Sequence, residues 1–513
     1  MSFFESLLVL LLIAILLLQV SRRLSIPYPT MLAGAGVLLA LIPGAPRITL
    51  DPHTALALFI APVLVDAAFD FPAGMIRRLW RPLFALVVMA VALSATAVAT
   101  LGVLVAGLPF YAALALGAIV APPDAAAATA ILGSVRMPSI SVAVLKGESL
   151  LNDATALLLF TAAISVQANG GMDGPIALQL AIAAPGAILL GFALGKLFHH
   201  VVPFVTGTLG GNLLEFVASF GVWIVAERAQ LSPVLCLVAF AMTLARPAAL
   251  STHPRMRIHS FAVWTTAVFL LNVLAFLLMG LQARTILTDM EPGRLSDAVR
   301  FALAVVACLI LVRLAWVTLM NRLASRFLWL RGDMKVPSLR HGILVGWCGM
   351  RGLVTLATAF ALPTDFPQRD LLVLTAFAVV LATLVVQGLT LAPLIRMMKL
   401  DGEDGQTAEL ASARADLATV ALAALDGKQG AAADHWRWGF QSNLAAVREP
   451  ADLAPLQARR KLGLIAIRRQ RLRLEELRSD QRVSPEAYLV LQEELDFHEV
   501  SLVSEEERRI EES

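Results

Sequence analysis

Apolar stretches about twenty residues long dominate this chain, and they decide what it can fold into. A helix rises about 1.5 Å per residue and a bilayer's hydrocarbon core is roughly 30 Å thick, so such a stretch is long enough to cross a membrane. Thirteen can be read, near 3–20, 29–44, 53–71, 82–106, 110–133, 138–166, 175–198, 211–229, 231–247, 260–285, 298–324, 340–362 and 370–397. The pair meeting at Gln230 is close enough to form a helical hairpin. Hydrophobic residues make up 58% of the 513 and charged residues 15%, against roughly 45–50% and 25% in soluble domains. This excludes a disordered chain, a fibre and a typical cytosolic enzyme, and predicts an all-α polytopic membrane protein. The first stretch has no basic leader and no clear cleavage site before Arg22-Arg23, so it reads as a retained helix.

Charge divides the chain. Residues 1–400 hold 26 Lys/Arg and 16 Asp/Glu, whereas 401–513 hold 15 and 22. An apolar body of 1–400 therefore precedes an acidic, soluble tail of 401–513. Basic residues collect on the cytoplasmic side because they resist translocation. With thirteen spans and the tail inside, 18 Lys/Arg fall on the cytoplasmic side and 6 outside. That split places the N-terminus outside and the tail in the cytoplasm. Cys236, Cys308 and Cys348 each lie in an apolar run, with no disulfide framework or metal-ligand spacing. His199, His200, His253, His259 and His341 fall at or near cytoplasmic ends and read as solvated or interfacial, though His341 could sense pH.

An ionisable group at mid-membrane costs about 2.5–3.5 kcal/mol on insertion scales, so it needs a partner or a use. Asp66, Asp124, Glu148, Asp153, Arg313 and Arg351 sit deep in apolar sequence, and Asp70 lies nearer a span end. Four acids face two bases, so ion pairing alone leaves two carboxylates to be protonated or to hold a cation. Two spans also look broken. Ala121-Pro122-Pro123-Asp124 interrupts the fifth, and Gly342, Gly346, Gly349 and Gly352 surround Arg351 in the twelfth. Discontinuous membrane helices are tolerated where they line a polar cavity. An acid at one break and a base at the other can offset the half-helix ends. Spans 4–6 and 11–13 then form two matching three-helix units, the pattern of an inverted-repeat transporter. A pair of kinked packing helices is the plainer alternative. In the sixth span, Ser149 and Asp153 share one helical face, and Glu148 and Asn152 a neighbouring one. A hydroxyl beside a carboxylate suits a small monovalent cation, and a structural hydrogen-bond network would use the same residues.

Gly147-Glu148-Ser149-Leu150-Leu151-Asn152-Asp153 resembles the Asn-Asp ion-site motif of the sodium/proton exchangers, the electroneutral branch of the monovalent cation:proton antiporters. Further segments match that family in order: Pro62 to Ala68, Ala121 to Asp124, Met279 to Gln282, Gly349 to Gly352 and Val386 to Leu394. The resemblance covers about residues 3–400. It implies two inverted repeats with crossed broken helices 5 and 12, and a core of about 82–166 and 298–397 moving against a dimerisation domain of the remaining spans, in a homodimer. It implies that Asp153 carries the cation or proton, with Ser149 and Asp66 near the same ion (Na⁺) and Asp124 at the crossing. Glu148 would pair structurally with Arg313, and Arg351 would compensate the twelfth-helix break opposite Asp124. That leaves Asp66 and Asp153 for the ion. Two departures bear on coordination. Pro123 stands where many members have a coordinating threonine, and Asp66 where many prokaryotic members have Glu.

The expected function is exchange of Na⁺, or of Li⁺ or K⁺, for H⁺ by alternating access in the inner cell membrane. No cofactor, nucleic acid or enzymatic chemistry is expected. Neutral Asn152, where electrogenic relatives carry a second Asp, favours one H⁺ per cation. The alternative is a passive cation channel or an ion-regulated sensor with a signalling tail. Within the tail, 401–450 reads as a flexible linker or loose helix and 451–482 as a basic helix. Ser484 then caps an acidic helix with Pro485 at its first position. The basic helix could pair with the acidic one, lie against anionic lipid, or stand solvated.

Overall fold

The computed structural model describes residues 3–24, 26–42, 51–69, 71, 73–124, 139–171, 174–205, 209–251, 254–288, 295–327, 329, 338–398, 405–448 and 454–503. The described residues are helical with no strand. Contacts divide the chain into two units, 1–403 and 404–512.

In the first unit the helices run α1 (Phe3–Leu24), α2 (Tyr28–Ala40), α3 (Pro52–Phe69), α4 (Ala73–Phe84), a π turn (Ala85–Ala90), α5 (Val91–Ala106), α6 (Phe110–Val120) and α7 (Ser139–Asn169). They continue with α8 (Gly174–Val201), α9 (Leu209–Arg228), α10 (Pro233–Ser251), α11 (Pro254–Leu281), α12 (Ala283–Thr288), α13 (Leu295–Arg326), α14 (Leu339–Trp347), α15 (Leu353–Phe360) and α16 (Arg369–Met398). Among the described residues, six helices have at least 18 residues and are apolar enough to cross a membrane, and four apolar helices are shorter.

Two departures from the sequence reading concern helix ends. The fourth span starts earlier than Pro82, because α4, the π turn and α5 form one helix over Gly74–Ala106. Its first turns are amphipathic rather than apolar, with Leu79 and Leu83 buried and Arg77, Arg78 and Trp80 exposed. A hydropathy reading passes over such a segment. Pro82 lacks an amide to donate back along the helix, and the ladder widens to the π register just beyond it. Second, Gly342 and Gly346 do not break a helix. They lie inside α14, where a Cβ would come within 3.1 Å of Asn321 and 2.9 Å of Leu314 on α13. They permit close packing. The same holds where α2 crosses α11: a Cβ on Gly36 would lie 2.8 Å from the Gly280 Cα. Methyl groups there would force the two backbones apart.

The second unit holds α17 (Gly405–Ala424), α18 (Ala431–Arg448), α19 (Ala454–Ser479) and α20 (Pro485–Leu502). Residues 405–448 form two packed helices rather than a loose linker. Alanine-rich sequence favours helix, and Gly427 and Gly430 turn the chain at positive φ. Arg437 ties the turn by donating to the Leu425 carbonyl at 2.9 Å and pairing with Asp434 at 2.8 Å. The basic α19 packs on the acidic α20. Arg471 bonds Glu499 at 2.9 Å and also meets Asp496, and the Tyr488 hydroxyl donates to Glu475 at 3.0 Å. Ser484 accepts from the Ala487 amide at 3.2 Å, the cap its position predicts.

Candidate ion site at the crossed broken helices

The site grows from two interrupted helices. α6 stops at Val120, and Pro122 and Pro123 cannot donate to the carbonyls of Ala118 and Ile119. The Asp124 amide turns away from its own helix and donates to the Met350 carbonyl at 2.6 Å. The remainder of the expected fifth span, 125–133, lies outside the described residues. The second interruption is Cys348 to Gly352, between α14 and α15.

Arg351 joins the two breaks and is 1% exposed. Its Nε donates to the Val120 carbonyl at 3.0 Å and its Nη2 to that of Ala121 at 3.2 Å. Its Nη1 donates to the Gly349 carbonyl. One guanidinium thus serves orphan carbonyls at the C-terminal end of α6 and beside that of α14, where helix dipoles concentrate negative charge. Its own amide is fixed by the Thr383 hydroxyl on α16, at 3.0 Å. Asp124 stands at the opposite pole. Its carboxylate occupies the space a Cβ on Gly352 would need, and Gly352 is the N-cap of α15. An acid there complements the positive end of a half-helix. Gly352 can be nothing larger.

α7 supplies the remaining groups. Glu148 forms a bidentate pair with Arg313 of α13, at 2.6 and 2.9 Å, with both side chains at most 4% exposed. Arg313 also donates to the carbonyls of Gly346 and Val345, at 3.2 and 3.3 Å. Asn152, one turn after Glu148, donates from Nδ2 to the Pro123 carbonyl at 2.6 Å. It therefore ties α7 to the fifth-helix break, and its Oδ1 meets no donor among the described residues.

Asp153 is 7% exposed. It makes no hydrogen bond and no ion pair among the described residues. A cavity of about 10 Å³ lies close by, lined by Pro123, Asp124, Leu145, Glu148, Ser149, Arg313 and Cys348. That is room for about one water-sized species. Asp66 is half-buried on α3, which packs against α7 and α15. Neither Asp66 nor Asp153 lines the cavity, and Asp70 lies outside the described residues. Among the described residues no three His, Cys, Asp or Glu side chains cluster to hold a metal ion. A cation at Asp153 would complete its shell with hydroxyl, backbone or water oxygens.

The sequence reading missed two participants and, on α9, one further acid. Thr383 is a hydroxyl in an apolar run, too ordinary a signal to single out. Cys348 lines the cavity. Glu215 was legible as an acid inside the eighth span. It accepts from Ser260 at 3.1 Å and from Trp264 Nε1 at 2.8 Å, both on α11.

Apolar helices, two of them broken and tied through one arginine beside a buried carboxylate, define an ion-translocating membrane protein. Residues 8–397 match the family model described as sodium/hydrogen exchanger, transmembrane. The chain belongs to that family, and is thus an integral membrane protein of the monovalent cation:proton antiporter class. It is 28% identical to the sodium, potassium, lithium and rubidium/H(+) antiporter of Bacillus pumilus, over 93% of this chain and 74% of that protein. It is 29% identical to the uncharacterized Na(+)/H(+) exchanger YjcE of Escherichia coli, over 94% of this chain and 95% of that protein. Its fold resembles that of the sodium proton antiporter MjNhaP1 from Methanocaldococcus jannaschii, with a TM-score of 0.56 and 19% identity, covering 79% of this chain and 100% of that one.

Proposed function

We propose that the protein exchanges Na⁺, or a related monovalent cation, for H⁺ at a single site centred on Asp153, exposed alternately to the two sides of the cell membrane. The observation that carries this reading is the contrast within α7. Glu148 is buried with its counter-charge, whereas Asp153, five residues later, is buried with none among the described residues. A buried carboxylate of that kind is stable with a proton or with a cation, and one displaces the other. Ser149, one turn before Asp153, offers a hydroxyl, and Asp66 a second carboxylate from α3. Asn152 and Pro123 hold the fifth-helix break against α7. Asn152 carries no charge, which supports one H⁺ per cation. The similarity to the sodium, potassium, lithium and rubidium/H(+) antiporter of Bacillus pumilus supports a range of monovalent cations that includes K⁺ and Li⁺.

In the same reading the chain crosses the inner membrane thirteen times, with its N-terminus outside and 401–513 in the cytoplasm, as the arginine and lysine distribution supports. It works as a homodimer in which two inverted repeats, spans 4–6 and 11–13, move against the remaining spans. A passive channel is not favoured, since the characterised relatives matched are antiporters. The test is proton-driven uptake in proteoliposomes with a pH dye inside, comparing Na⁺, Li⁺ and K⁺. Apparent cation affinity should weaken as external pH falls, and Asp153→Asn should abolish exchange. Undiminished exchange in Asp153→Asn would overturn the assignment.

A further inference from the structure

One arginine cluster takes no part in the ion site. It lies where α4 meets the end of α13. Arg81 lies against two indoles: its guanidinium carbon is 5.3 Å from the Trp80 ring centroid and 5.6 Å from that of Trp329. Its Nε is buried and meets no acceptor, and no carboxylate pairs with Arg81 among the described residues. Arginine stacks well on aromatic faces, and this leaves the outer N–H groups of its planar fork for an oxyanion.

The surrounding surface is amphipathic in an unusual sense. Arg77, Trp80, Arg81 and Phe84 follow the i, i+3, i+4, i+7 spacing, so they share one face of α4. Trp80 is 49% exposed, Phe84 52% and Trp329 70%, while Leu79 and Leu83, on the other face, are buried. Large rings and arginines are thus presented together, and a soluble surface gains nothing from such rings. A membrane interface does, because indole rings sit at headgroup depth. The α13 side matches. Trp316 donates to the Ala85 carbonyl at 2.9 Å, and Trp329 reaches Arg81. Arg322 lies on another face of α13, roughly 120° around the helix from Trp316. It closes one end of an apolar groove of about 440 Å³ along Leu311, Leu314, Ala315, Thr318 and Leu319.

We infer that this junction is a seat for an anionic glycerophospholipid. Its phosphate binds the outer N–H groups of Arg81, with Arg77 adding charge one turn earlier on the same face of α4, and its acyl chains lie on Trp80 and Phe84. Charge complementarity selects the occupant. A zwitterionic lipid brings a cation that the unpaired arginines repel, and a free phosphate leaves the exposed rings uncovered. The inference needs the chain to lie in a membrane, which its family establishes, and does not depend on the exchange reaction.

The test is lipid binding to delipidated full-length protein in detergent, read by native mass spectrometry. The probes are phosphatidylglycerol, phosphatidylcholine and inorganic phosphate. The wild type should bind phosphatidylglycerol about thirtyfold tighter than phosphatidylcholine, with inorganic phosphate failing to compete, given roughly 1 kcal/mol for each of Arg81 and Arg77 near an anionic lipid. Arg81→Ala and Trp329→Ala should lose most of that preference. Arg300→Ala should keep it, since Arg300 is an exposed arginine at a different helix end, beside Asp297. Arg81→Gln keeps the stem against the rings and replaces the alanine variant if that one does not remain monodisperse. Equal preference in wild type and the Arg81 and Trp329 variants would overturn the inference. So would equal binding of the two lipids, or displacement by inorganic phosphate.

Discussion

Breaking the Glu148–Arg313 pair tests whether it is a structural device distinct from the Asp153 site. Its two bonds of 2.6 and 2.9 Å lie among side chains at most 4% exposed, so each charge depends on the other. Glu148→Met leaves a guanidinium buried alone, at a cost of about 3–5 kcal/mol. Arg313→Met leaves the carboxylate buried and also strips the carbonyls of Gly346 and Val345. At about 1 kcal/mol for each of those lost bonds, it should cost roughly 2 kcal/mol more than Glu148→Met. The double variant removes both charges together, and an apolar replacement of a buried pair is often neutral. Only the two carbonyls then remain unmet, a loss of about 2 kcal/mol. The double variant should therefore be more stable than either single one. Denaturant unfolding in detergent followed by tryptophan fluorescence gives the order, and proteoliposome exchange gives the activity. A double variant at least as unstable as the worse single variant would refute the pairing energetics. A stable double variant that no longer exchanges ions would refute a purely structural role.

Gly352→Ala should cost about 1–3 kcal/mol and impair exchange, because its methyl would fall on the Asp124 carboxylate at the start of α15; wild-type exchange in that variant would show that Asp124 is not held there. In the second unit, Arg471→Ala should destabilise the α19–α20 pair by only about 0.5–1 kcal/mol, since its partners are partly exposed and screened by salt. Hydrogen exchange of the α20 amides at low and high salt reads that loss, and an effect as large at 1 M salt as at low salt would contradict the electrostatic account.

What could be read from the sequence follows from how local each signal is. Apolar length is local, so the helices of the first unit emerge from it, while α4 escapes because its turns are amphipathic. The breaks are local too, since Pro122 and Pro123 cannot donate and Asp124 and Arg351 stand beside them. Partners are not local. Glu148 and Arg313 are 165 residues apart, and only the family resemblance names them together. Gly342 and Gly346 look like breakers until α13 is packed against them. Glu215 shows the opposite fault: the carboxylate is plain in the sequence, but its donors Ser260 and Trp264 come from another helix.

Counting side-chain charges alone sets Arg351 against Asp124 and balances the membrane ledger by formal pairs. The geometry distributes those charges differently. Every hydrogen bond the Arg351 guanidinium makes at the site goes to a backbone carbonyl, at the end of α6 and in the linker after α14. A helix C-terminus carries roughly half a negative charge, so two such ends amount to about one guanidinium. Asp124 is likewise set against the N-terminus of α15. Backbone dipoles are therefore the counter-charges at the crossing, and the arginine and the acid are what allow two broken helices to persist in a low-dielectric core. Asp153 is buried without a hydrogen bond or ion pair among the described residues. In the exchange proposed above, the crossing does more than make room for the site, because it leaves Asp153 as a buried carboxylate with no counter-charge among the described residues, to be neutralised by a proton or a cation.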